Sequence, residues 1–148
     1  MKSLINQIIT STSGLETLPL RTGAGVIFAA HGAQKLFGWF GGYGLEGTAG
    51  WMTSIGLEPG LLMAAMSGSA EFFGGLFLMV GVLVHPAALI LAVTMTVAIV
   101  TVHLQNGLFL ANNGYEFGLA LLAISVALIF RGAGSLSVDR LRHTQRVK

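Results

Sequence analysis

From Leu61 to Val84 the chain runs for 24 residues with one ionisable side chain, Glu71. A helix needs about 20 apolar residues to cross the ~30 Å hydrocarbon core of a bilayer. Apolar residues all the way round a helix mean burial in a large protein or immersion in lipid. Only 9% of the residues are charged while 53% are hydrophobic, too little polarity to cover a water-facing surface. An ordinary soluble domain carries about 25% charge. Mean hydropathy is +0.77. Lipid is therefore the solvent for most of the chain. Three more apolar runs follow: Leu20 to Gly38, Ala87 to Leu104, and Phe117 to Phe130. The predicted fold is an all-α membrane protein, a four-transmembrane-helix bundle.

The fourth run is short. It reaches the bilayer thickness only with Tyr115 and Arg131 as interface anchors, and "RGAG" marks its end. Four spans put both termini on one side. That side collects Lys2, Arg21, Arg131, Arg140, Arg142, Arg146 and Lys148, while the other holds Lys35 alone. Positive charge accumulates on the cytoplasmic side, so both termini are expected to be cytoplasmic. Arg21 is read as reaching outward to lipid phosphates. Residues 1–17, with Leu4, Ile5, Ile8 and Ile9 at helical spacing, either lie in the interface or fray. Residues 18–134 are the four-helix transmembrane domain, and 135–148 a basic cytoplasmic tail. The first outer connection, "WFGGYGLEGTAGWMTSIGLEPG", is predicted to hold a short interfacial helix. Thr48 would cap it, Trp51, Met52 and Ile55 would share one face, and Gly56 would close it. Trp39, Tyr43 and Trp51 fit an interfacial aromatic belt.

The absence of cysteine removes disulfides, thiol redox chemistry and Cys-ligated clusters as intrinsic functions. A formal net charge of +2 with no basic stripe argues against nucleic acid as a partner. No GxGxxG follows a strand and no CxxCH occurs, so no intrinsic haem, flavin or metal is expected.

An ionisable group inside a bilayer is costly, so it faces the bundle interior or marks function. His31 and Lys35, at i and i+4, share a face of the first helix. Gly25, Ala29 and Ala33 lie roughly opposite, a run of small residues that lets another backbone approach. Lys35 either joins an internal cluster or extends to the interface. His31 is either a neutral interhelical hydrogen-bonding group or part of a site. Glu71 sits mid-span in "SGSAEFFGG" and is either interhelical glue or a ligand and proton-handling group. His103 and Asn106 share a face near the end of the third span. Glu116 opens the fourth, where a carboxylate also suits a helix N-terminus. His31, Glu71 and His103 are the expected catalytic groups. Lys35, Asn106 and Glu116 are the expected cofactor-binding groups, and no metal site is assigned. Imidazole, ammonium and carboxylate donate to carbonyl oxygens and pass protons, which a quinone head group requires.

A weak repeat is visible between "HGAQKLFGWFGGY" (31–43) and "HLQNGLFLANNGY" (103–115). At an offset of 72 residues His31 meets His103 and Tyr43 meets Tyr115. Two hairpins related by an axis along the membrane normal would produce it.

The blocks "RTGAGVIFAAHGAQKLFGWFGGYGLEGT", "SAEFFGGLFLMVG", "VHLQNGLFLANNGYEFGLALL" and "GAGSLSVDRL" resemble the DoxX family of small bacterial and archaeal membrane proteins, from about Leu20 to Leu141. The resemblance implies a four-helix bundle in the cytoplasmic (inner) membrane and a link to redox chemistry. The family takes its name from a subunit of an archaeal terminal quinol oxidase. The reading is a redox-associated integral membrane subunit that interacts with quinone and works beside a separate soluble or periplasmic redox protein. The alternative is a non-enzymatic anchor or assembly factor whose polar cluster is structural. The small residues of the first two spans suit packing within one chain or a homo-oligomer equally. Transport is disfavoured, because no span is broken in its middle.

Overall fold

The computed structural model describes residues 14–141. Most of the expected N-terminal segment and the end of the tail, with Lys2, Arg142, Arg146 and Lys148, lie outside the described residues. All regular structure among the described residues is helical. In chain order the helices are α1 (Thr17–Phe37), α2 (Gly44–Ser54), α3 (Gly60–Val80), α4 (Val84–Ala98) and α5 (Glu116–Arg131). A π-helical turn, Ile99–His103, and a 3₁₀ turn, Leu104–Asn106, prolong α4. Among the described residues two helices are long and apolar enough to cross a membrane. They are α3, with 21 residues and mean hydropathy 1.5, and the continuous run Val84–Asn106, with 23 residues and mean hydropathy 2.3. α1 also has 21 residues but carries Arg21 and Lys35, and α5 has 16.

α1 packs chiefly on α3, and α4 on α5, with α3 joining the two pairs. The α1–α3 crossing is a backbone-to-backbone contact. A Cβ on Gly32 would lie 2.3 Å from the Phe72 nitrogen, and one on Gly75 would lie 2.5 Å from the Ala29 nitrogen. The predicted small-residue run is thus displaced: Gly25, Ala29 and Gly32 make the crossing. Glycine serves here because helices in lipid gain stability from close packing rather than from leaving water. A core of Phe28, Leu78, Ala88, Leu91, Leu121 and Leu128 fills the space between the two pairs.

The end of the bundle that carries the chain's tail is tied by two charges. Arg21 does not extend to lipid: it is 2% exposed. Its Nη1 donates to the carbonyls of Leu78 at 3.1 Å and Met79 at 2.8 Å, and its Nη2 to that of Leu136. Leu78 and Met79 belong to the last turn of α3, whose carbonyls have no partner within the helix. Three acceptors and the negative end of the helix hold the guanidinium more favourably than a reach across packed side chains would. Asp139 completes the lock. Its Oδ1 accepts from the Leu83 N–H at 2.9 Å and its Oδ2 from that of Val84 at 3.0 Å, capping α4. Its own N–H donates to the Gly81 carbonyl at 3.0 Å. The first residues of the tail are therefore docked on the turn between α3 and α4.

At the other end α2 packs on α3 and α1. The predicted loop helix is present but begins at Gly44 rather than after Thr48. Thr48 lies in its second turn, and its hydroxyl donates to the Lys35 carbonyl at 3.4 Å. That bond draws Thr48 inward, so it is buried along the helix instead of capping it.

Candidate functional site

Four of the six predicted site residues come together. The Lys35 ammonium donates to Glu71 Oε2 as an ion pair. The Glu71 side chain is 2% exposed and that of Lys35 26%. α1 delivers Lys35 from its last turn, and α3 presents Glu71 from mid-helix. One turn before Lys35, His31 is exposed into the space beside the pair, with its ring 6.1 Å from that of Phe117. His103 arrives from the π-helical turn that ends α4. Such turns often occur at functional positions because they re-aim side chains.

These residues separate two cavities. One, of about 1240 Å³, is walled by α1, α2, α3 and α4. A smaller one, of about 130 Å³, lies toward α5 against Phe117, Gly118 and Leu121. His31, Lys35, Glu71 and His103 line both. Most of the remaining wall is apolar, with Gln34, Thr48, Ser67, Thr94 and Thr101 as further polar groups in the large cavity. A few convergent polar groups in an apolar pocket are the usual make-up of a small-molecule site.

His103 is oriented by the loop beyond it. Its Nδ1 donates to the Asn113 carbonyl at 2.9 Å. That bond engages Nδ1 as a donor, so in a neutral ring the lone pair sits on Nε2.

Asn106 and Glu116 do not join the cavity walls. The Asn106 amide donates to the carbonyls of Val102 and Asn113 at 3.1 and 3.2 Å. Glu116 Oε1 accepts from the Leu110 N–H at 2.6 Å. Both side chains hold the turn-rich connection between α4 and α5, which has many backbone N–H groups to satisfy. Asn106 binds the same carbonyl that orients His103, so it positions a pocket residue without touching the pocket. Tyr43 and Trp51, expected in an aromatic belt, are exposed and also line the large cavity. Trp39 packs on Phe37 with the ring centroids 5.1 Å apart and the rings tilted by 42°. At the offset of 72 residues Gly44, which begins α2, meets Glu116, which begins α5, so the counterpart of α5 is the loop helix and not α3, as two matching hairpins would require.

The described residues form a helical bundle with two apolar helices of membrane length and an internal pocket lined by an ion pair and two histidines. The chain belongs to the DoxX family, which it matches over residues 17–104. A Bacillus subtilis (strain 168) protein, CatD, which carries a provisional oxidoreductase designation, is 34% identical over 123 residues, 83% of this chain and 84% of that protein. An uncharacterized Haemophilus influenzae protein is 35% identical over 72 residues, 49% of this chain and 48% of its own. No solved structure matches the chain significantly. Membership of a membrane-associated family and the oxidoreductase relative together suggest a membrane redox-associated protein.

Proposed function

We propose that the protein is a quinone-interacting subunit of a membrane oxidoreductase, embedded in the cytoplasmic (inner) membrane and served by a separate redox partner. The observation that carries this reading is the convergence of Lys35, Glu71, His31 and His103 on one largely apolar cavity. A quinone carries two electrons and two protons between its oxidised and reduced forms. Lys35 suits a head-group carbonyl oxygen as a charged donor, and the His103 Nε2 lone pair suits a quinol hydroxyl. Glu71 keeps the ammonium aimed and exchanges protons with it. On this reading the electrons belong to the partner.

The topology that accompanies this function has four crossings, with α1 and α5 added to α3 and α4, and α2 in the outer interface. The lysine and arginine distribution supports cytoplasmic termini. Cysteines placed at Ser54 and at Thr144 should be labelled from opposite sides of sealed vesicles. Protein extracted in native lipid should carry quinone at near one per chain by mass spectrometry. Labelling from one side ends the topology, and quinone no higher than in bulk lipid ends the quinone reading.

One observation favours the alternative, an anchor or assembly factor: Lys35 and Glu71 satisfy each other. Under that reading the pair is helix glue, and replacing it affects stability alone.

A further inference from the structure

The large cavity extends well past its polar cluster. On α4 its wall runs from Leu89 to His103, about 21 Å at 1.5 Å per residue. The lining changes along that length. The end nearer α2 carries His103 and Thr101 among Val97, Ala98 and Val102; the end nearer the tail carries Val93, Ile90 and Leu89, whose side chains cannot hydrogen-bond, and Thr94, whose hydroxyl already donates to the Ile90 carbonyl at 2.9 Å. Val93, Ile90 and Leu89 are 57%, 51% and 54% exposed, so this part of the wall is open sideways. Its floor is closed where α3 meets α4: a Cβ on Gly74 would already touch Leu91 at 3.1 Å.

A small polar substrate would leave that slot empty against hydrocarbon. An amphiphile with a carbonyl-bearing head and a long apolar tail would fill both parts. We infer that the slot between α3 and α4 holds the isoprenoid tail of a lipid-borne quinone, which enters sideways from the bilayer while its head reaches Lys35 and Glu71. This rests on the quinone reading above and specifies its substrate class: tailed quinones, drawn from the membrane. The tail is already in an apolar solvent before binding, so its selectivity comes from packing in the slot rather than from leaving water.

The test compares two probes with one head group in nanodiscs holding the full chain: 2,3-dimethoxy-5-methyl-1,4-benzoquinone and its 6-decyl derivative. Trp51 lines the cavity, so quenching of its fluorescence reports occupancy. Ile90→Phe and Val93→Phe should lower the affinity of the decyl probe about tenfold, the effect of overfilling a packed site. The decyl-to-tailless affinity ratio should collapse with it. Leu119→Phe, on exposed α5 surface outside both cavities, should preserve the ratio. Membrane partitioning is common to all variants and cancels. Should the Phe variants fail to fold, a decyl probe with a photoreactive tail end should label wild-type residues 89–93. Equal ratios in slot and control variants overturn the inference, as does labelling on α5 or α2. A phospholipid retained in the slot and not displaced by the decyl probe overturns it too. If neither probe binds wild-type protein, the quinone reading falls and the inference with it.

Discussion

Arg21 and Glu71 are each 2% exposed, yet the two regions that bury them treat the charge in opposite ways. At the tail end, Arg21 is surrounded by backbone: three carbonyls accept from it, and it lines neither cavity. Around Glu71 the backbone is occupied with its own helix. The carboxylate has Lys35 as its partner and space on two sides. A buried charge whose bonds go to helix ends is a fastener, because those carbonyls are always present and never change. A buried charge facing a side-chain partner across a cavity wall can exchange that partner for a ligand. Burial alone therefore does not mark function in a membrane protein; what marks it is whether the bonding partner can be replaced.

That contrast is open to attack by mutation. The largest effect is expected at Glu71. Glu71→Gln keeps size and hydrogen bonding but loses the titrating proton, so quinone-linked turnover with the partner present should fall by about 10²–10⁴. Stability should change little, since an amide still bonds across helices for about 0.6–2 kcal/mol. If the Gln variant instead loses stability, and Lys35→Met added to it restores the loss, the pair is a fastener after all.

Next comes Arg21→Met, which should act the other way. Charged hydrogen bonds are worth about 1.5–3 kcal/mol each, so losing this set should cost about 3 kcal/mol or more in unfolding within nanodiscs. Quinone affinity of the folded fraction should hold. A selective loss of quinone binding with normal stability would erase the distinction between the two ends.

Asp139→Ala, the smallest of the three, removes a cap supplied from the tail. A lost N-cap costs about 0.5–2 kcal/mol. The same unfolding measurement should show a drop smaller than that of Arg21→Met, and amide exchange at Leu83 and Val84 should rise. Unchanged exchange there would mean that the tail is not what holds the start of α4.

Much of this could be read without a structure, and the reason is energetic. Putting Glu71, His31, Lys35 or His103 in hydrocarbon is expensive wherever the helices go. Their presence in apolar runs therefore picks them out as a group that must find one another, and they do. The helical class follows in the same way, since a backbone in lipid must satisfy its own hydrogen bonds. The helix in the first long loop was legible from its composition, though its start was misplaced because Thr48 bonds to Lys35 rather than to its own helix end.

Other features had no local signature. The partners of Arg21 are main-chain carbonyls 57, 58 and 115 residues away, and any residue supplies a carbonyl. Asp139 reads as one acid in a polar tail until the tail folds back on the α3–α4 turn. Asn106 and Glu116 have the right chemistry for a pocket, but the loop they sit in claims them first. The cavity itself is enclosed by α1, α2, α3 and α4 together, which no single residue encodes. Sequence alone determined which side chains hydrocarbon would not tolerate singly, because that cost depends only on the solvent. Which of them became fasteners and which were left facing empty space was decided by tertiary structure, because that depends on the backbone each one meets.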